Sequence, residues 1–318
     1  MKKNILRNNR RTSLFFIILG LLVCIQCITN YANAKVISSV KPIGFIVEAI
    51  ASGVTDTDVL LPDGASPHTY SLKPSDLVKL KSAELVIWVG EDMENFMPTI
   101  LKSIDKEKQI ELMAIPEIKG LLRTSHDIHE HEALQAHDAP DQDHHGEYDE
   151  HIWLSPKIAK VIAHSIHDRL ITLYPNKRAL IDENLAEFII KLEETEQNIA
   201  KKIITVQNRG YFVFHDAYGY FETQFGLKKL GSFTINPAVQ PGVQKVYAIQ
   251  QELKEHQAVC IFREPQFSPA VIEKLVNGTD VRVGELNPLG TGIALSKDAY
   301  SQFLLKLTKQ LLDCLDKN

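Results

Sequence analysis

The chain has 318 residues, with 35 Lys and Arg against 40 Asp and Glu and 44% apolar residues. Five basic residues (Lys2, Lys3, Arg7, Arg10, Arg11) and no acid fall in the first 34 positions, so the other 284 residues carry 30 basic and 40 acidic side chains, a net charge of −10. That balance argues against nucleic acid or anionic lipid as the main partner, and the apolar fraction excludes global disorder.

Residues 1–34 read as a secretory signal peptide. A basic stretch precedes the apolar run Leu14–Val23, and Ala32-Asn33-Ala34 offers a small-x-small cleavage site. The run is about half the roughly 20 residues of a spanning helix. A lipoprotein signal at Cys24 is disfavoured by the bulky Val23. The expectation is an exported, soluble protein.

Residues 35–174 are expected to form an α/β lobe. Val36–Val40, Asp58–Leu61 and Leu85–Val89 have strand patterns, and Ile43–Ala51 and Pro74–Ser82 have helical ones. Such alternation implies a parallel sheet with crossover helices. From Arg123 to Glu150 the composition changes: these 28 residues hold six of the twelve histidines (His126, His129, His131, His137, His144, His145) and nine acids. This is a low-complexity, solvated segment. Its two readings are weak zinc capture and an incidental insertion.

Helical spacing runs from Pro156 to Val206, broken at Pro175. The second part, within residues 175–208, is about 30 residues and about 45 Å long, and reads as a rigid connector between lobes rather than part of either core. Residues 209–318 form a second α/β lobe, with strands at Tyr211–Phe214, Val259–Phe262 and Val281–Val283 and helices at Val243–Glu255, Pro269–Val276 and Lys297–Leu315. Ligands in such sheets bind beyond the carboxyl ends of strands, which points to the loops after Leu61, Phe214 and Val283.

Two cysteines remain beyond the signal, Cys260 in a strand and Cys314 in the last helix. In an oxidising compartment a bridge is expected, closing a loop of about 54 residues and contributing about 4 kcal/mol. Two buried free thiols are the alternative.

His68, His151 and His215 stand outside the histidine-rich segment and directly follow strand-like or turn-like stretches. Neutral imidazole suits zinc, which takes four N, S or O ligands. Taken singly, each is as readily a hydrogen-bonded, partly buried histidine. His164, His167 and His256 show no partner and are read that way.

Three motifs change this reading: Leu61-Pro62-Asp63-Gly64-Ala65-Ser66-Pro67-His68, His151-Ile152-Trp153-Leu154-Ser155-Pro156, and Phe214-His215-Asp216-Ala217-Tyr218-Gly219-Tyr220-Phe221. With Pro288-Leu289-Gly290-Thr291, the Cys260/Cys314 pair and the acidic histidine-rich loop, the sequence resembles the ZnuA-type zinc-binding proteins of bacterial ABC importers over essentially its whole exported length. The resemblance implies an α/β fold of two lobes, each with a mainly parallel sheet flanked by helices, joined by a long rigid helix, with one metal in the interlobe cleft. It implies His68 and His151 as ligands from the first lobe and His215 from the second. It also implies Zn2+ as cargo, a monomer, no catalysis, and delivery to an inner-membrane permease with its ATPase.

Relatives that take manganese or iron carry a carboxylate at the third position, and His215 favours zinc. Two departures concern the fourth ligand. Pro67 stands where some relatives have Glu, and Asn287 where many have Asp. Three histidines plus water or a chloride-like anion is the expected shell, with Asn287 behind it and Glu285 a weaker candidate. Asp216 is expected either to orient a ligand histidine or to cap the following helix. The competing readings are a manganese- or iron-binding relative or adhesin of the same fold, and a secreted zinc hydrolase. The last lacks an H-E-x-x-H helix and an evident general base.

Overall fold

The computed structural model describes residues 36–124, 147–234, 243–255, 258–267 and 270–316. The signal-like segment, the six loop histidines and His256 lie outside the described residues.

Each half carries a four-stranded, all-parallel sheet. The first comprises β1 (Val36–Ser38), β2 (Thr57–Val59), β3 (Leu85–Trp88) and β4 (Gln109–Glu111), in the order β2-β1-β3-β4. The second comprises β5 (Tyr211–His215), β6 (Lys229–Thr234), β7 (Cys260–Arg263) and β8 (Arg282–Glu285), in the order β6-β5-β7-β8. The two orders correspond strand for strand. β4 and β6 have no counterpart among the expected strands. β4 is only three residues long, and β6 carries Gly231 and Ser232, which dilute its apolar pattern.

Central strands β1, β3 and β5 are buried at every residue, as a sheet covered on both faces requires. Alternate side chains serve different cores. On β5, Tyr211 and Val213 join the main cluster, whereas Phe212 and Phe214 join a cluster with Ile249, Leu253 and Leu275. On β1 and β3, Val36 and Ile87 face the main cluster, and Ile37, Val86 and Trp88 an outer one with Leu80 and Leu101. The main cluster therefore runs through both halves.

The helices follow from apolar spacing and their caps. In α1 (Lys41–Ala51), Ile43, Ile46, Val47 and Ile50 are buried. α2 is Pro74–Ser82. α3 (Pro156–Leu173) starts at Ser155, whose Oγ accepts the Ile158 N–H at 3.2 Å, with Pro156 at the first helical position. Ile158, Ile162, Ile166 and Leu170 repeat every four residues along its buried face.

The long helix α4 (Arg178–Ile203) has 26 residues, about 39 Å at 1.5 Å per residue. It differs from a bare connector. Ile181, Leu185, Phe188, Leu192, Ile199 and Ile203 bury a continuous stripe in the main cluster, as expected of an amphipathic helix with one apolar face.

The second half adds α5 (Gly219–Phe225), α6 (Val243–Glu255), α7 (Ala270–Val276) and α8 (Ala299–Leu315). α8 packs on α1 and α4 as well as on β8. The Phe303 ring lies 6.0 Å from that of Phe45 on α1, and the Tyr300 ring 5.8 Å from that of Phe188 on α4. The approach to α8 turns at Gly290, where φ is +63° and a Cβ would come 2.7 Å from the Phe45 ring. Both constraints favour glycine. A Cys260–Cys314 disulfide ties β7 to α8.

Candidate metal centre

Three segments bring histidines together: the loop after β2, the turn that precedes α3, and the carboxyl end of β5. The first continues β2: Leu60 and Leu61 N–H still bond Ser38 and Ser39 carbonyls, then Pro62–Pro67 turns away and delivers His68. Asp63 anchors this loop from both sides, by an ion pair to Lys41 and by accepting the Gly292 N–H at 3.0 Å. Burial pushes the Asp63 carboxyl up, but these bonds and the Lys41 and Lys306 charges hold it below its ordinary value.

The second loop delivers His151 at the head of a helical turn, Ile152–Leu154, whose three side chains are fully buried. Trp153 fixes that turn: its Nε1 donates to the Pro288 carbonyl at 2.8 Å, and its own carbonyl accepts from Tyr300 Oη at 2.7 Å. His215 closes β5.

The result is a triad of imidazoles. Ring centroids are 5.6 Å apart for His68 and His151, 5.0 Å for His68 and His215, and 4.8 Å for His151 and His215. One nitrogen from each lies within 4.8 Å of the others. Tetrahedral zinc with Zn–N near 2.05 Å would bring such atoms to about 3.3 Å. His151 and His215 are buried and His68 is half-buried. Among the described residues this is the group of histidines and acids able to hold a metal ion.

Two of the rings are held from behind by carboxylates. Asp149 Oδ1 accepts from both Nδ1 and the backbone N–H of His151, each at 3.0 Å. Glu264, just beyond β7, places Oε1 3.5 Å from His215 Nδ1 and accepts from Tyr218 Oη at 3.1 Å. For His151, a carboxylate bonded at Nδ1 fixes the tautomer that leaves Nε2 for a metal. Burial pushes the Asp149 carboxyl up, but the His151 ring and N–H and the Arg123 guanidinium, 3.0 Å away, hold it below its ordinary value. Nearby, burial pushes Glu150 up to about 8, with Asp92, Asp149 and Glu94 adding to the effect.

Asp149 and Glu264 escape the motif reading. Asp149 sits inside the acidic, histidine-rich run, where its signal drowns. Glu264 follows a strand whose outgoing loop is absent from the expected set. Asp216 has a different role from either one expected. Its Oδ1 pairs with Lys229, and α5 has no side-chain cap. Glu285 pairs with Arg263 at 2.8 Å. Asn287 Oδ1 accepts from Leu289 N at 3.2 Å and Gln266 Nε2 at 3.2 Å, so it stands behind the cavity wall. Pro67 lines the cavity and offers no donor. His164 is exposed, and His167 bridges Asp168 and Asp182 at the surface.

The sequence matches the family model for ZnuA, described as zinc-uptake complex component A, periplasmic, over residues 36–314. The chain belongs to the ZnuA family. The high-affinity zinc uptake system protein ZnuA of Yersinia pestis is 53% identical over 294 residues, covering 90% of this chain and 92% of that one. The ZnuA protein of the same description from Buchnera aphidicola subsp. Schizaphis graminum is 36% identical, with full coverage of both chains. A crystal structure of ZnuA superposes with a TM-score of 0.71 at 25% identity, covering 88% of this chain and 98% of that one. The ZnuA fold of two parallel sheets and a long helix is the fold found here. No helix among the described residues is long and apolar enough to cross a membrane.

Proposed function

We propose that this chain captures Zn2+ in the periplasm with His68, His151 and His215, and delivers it to an inner-membrane ABC permease driven by its ATPase. The carrying observation is the triad itself, three imidazoles from both halves of the molecule with nitrogens within 4.8 Å. An all-nitrogen set suits zinc better than manganese or iron, which favour carboxylate oxygen. The relatives named above, described as high-affinity zinc uptake proteins, support the same reading. The chain acts as a monomeric transport component and not as an enzyme. Residues 1–34 direct export and are removed, and residues 35–174 and 209–318 form two lobes joined through the core by residues 175–208. The histidines from His126 to His145 add weak, accessory zinc capture.

The test is a chelator-competition titration of zinc into protein lacking residues 126–145, with manganese as competitor. One tight zinc per chain that manganese does not displace is the expected result. Weak or manganese-favouring binding would reject the reading. Delivery is tested in cells: deleting the gene should lower zinc accumulation in scarce zinc, and an intact copy should restore it.

A further inference from the structure

The cavity bounded by the three imidazoles is lined also by Ser66 and Gln266, which carry the polar atoms Oγ and Oε1. Both are fully buried and neither has a hydrogen-bond partner within the protein. Leaving a buried polar atom unsatisfied is costly, so two beside one cavity call for a shared partner. They come from opposite halves of the molecule. Ser66 lies two residues before His68, and Gln266 two residues beyond Glu264.

Asn287 sets the orientation of the Gln266 amide. Asn287 Oδ1 accepts the Leu289 N–H at 3.2 Å and the Thr291 hydroxyl at 3.4 Å. An acceptor so placed must meet the amide nitrogen of Gln266, which lies 3.2 Å away. The carbonyl oxygen of Gln266 is therefore the end left for the cavity.

We infer that Ser66 and Gln266 hold a water molecule in the fourth position of the metal, and that they select water against an anion. This rests on the proposed metal site. A water bound to a divalent cation has two protons to donate. Gln266 Oε1 can only accept and takes one of them, while the Ser66 hydroxyl can give or take the other bond. Chloride or azide has no proton to offer and would meet a carbonyl oxygen head-on. Asn287 is then a positioning residue that acts through Gln266, which accounts for an amide where a carboxylate ligand would otherwise stand.

The test uses protein recovered from the periplasm and loaded with Co2+, whose visible spectrum reports the coordination shell, with azide as the anion. The unaltered protein should keep its cobalt spectrum in excess azide. Gln266→Leu should bind zinc about tenfold more weakly, and its cobalt spectrum should change with azide. Gln266→Glu, still an acceptor, should restore indifference to azide. Ser66→Ala should weaken zinc by about threefold and needs no change of shape at Gln266. A merely structural role for Gln266 would move melting temperature without creating azide sensitivity. The inference is overturned if azide perturbs the unaltered protein as readily as Gln266→Leu, or if both variants bind zinc like the unaltered chain. Absence of any cobalt or zinc binding in the unaltered protein would overturn the metal site along with it.

Discussion

Asp149 grips His151 twice through one oxygen, Oδ1, which accepts both the ring Nδ1 and the backbone N–H at 3.0 Å. Its other oxygen, Oδ2, pairs with Arg123 at 3.0 Å. The imidazole is thus locked in direction and tautomer by a residue that never faces the cavity. Removing such a partner costs about 10- to 100-fold in metal affinity. Asp149→Ala should weaken zinc by that factor and Asp149→Asn by less, since the amide oxygen still accepts. Chelator competition measures both; unchanged affinity in Asp149→Ala would show that the ring is held by packing alone.

The cleft and the histidine-rich segment should separate cleanly. His151→Ala removes one of the three proposed ligands and should weaken the tight site about a hundredfold or more. Deleting residues 126–145 should leave the tight site and remove weaker ones. Calorimetric titration counts both classes, and the opposite pattern would move the principal site into the segment.

Glu94 gives stability a pH dependence. It is fully buried at the carboxyl ends of β1 and β3, bonded by Ser39 Oγ and by the N–H groups of Val89 and Gly90 at 3.0 Å. Burial raises it to about 7, against the lowering effect of those bonds. The folded state therefore holds a proton that the unfolded state gives up near its ordinary value of 4.5. Stability from this group is full below about pH 4.5 and declines as pH rises to about 7, by roughly 3 kcal/mol at most. Glu94→Gln keeps acceptor and donor in place and should flatten that decline. Urea unfolding at pH 5 and pH 8 measures it; an unchanged slope would assign the decline elsewhere, Glu150 first.

Zinc should change the shape of the molecule little. The main core runs through both halves, and bonds such as Trp153 Nε1 to the Pro288 carbonyl and Tyr220 Oη to the Asp149 carbonyl, at 2.7 Å, cross between them. Small-angle scattering curves of the zinc-free and zinc-loaded protein should superimpose, and a marked compaction with zinc would refute this.

What sequence makes legible here is whatever repeats or clusters locally. Continuous apolar runs mark β3 and β5, and Ser155-Pro156 marks the start of α3. The three histidines stand out because each belongs to a distinctive local motif outside the histidine-rich segment. Contacts made by side chains far apart in the chain leave no such trace. Glu264 meets His215 across neighbouring strands, and the buried stripe of α4 has its partners on α1, α3 and α8. Spacing reveals that such a stripe exists but not what covers it, so the long helix reads from sequence as a spacer although it is a wall of the core.

The position of α8 governs the order in which the molecule can be completed. Phe303 and Tyr300 fill the core beside Phe45 and Phe188, so α1 waits for α8. A chain emerging amino end first cannot seal this part of the core until residues 300–303 have appeared, and the Cys260–Cys314 bond follows them. Fragments cut short before residue 300 would lack both the seal and the brace, and would be left open to proteases.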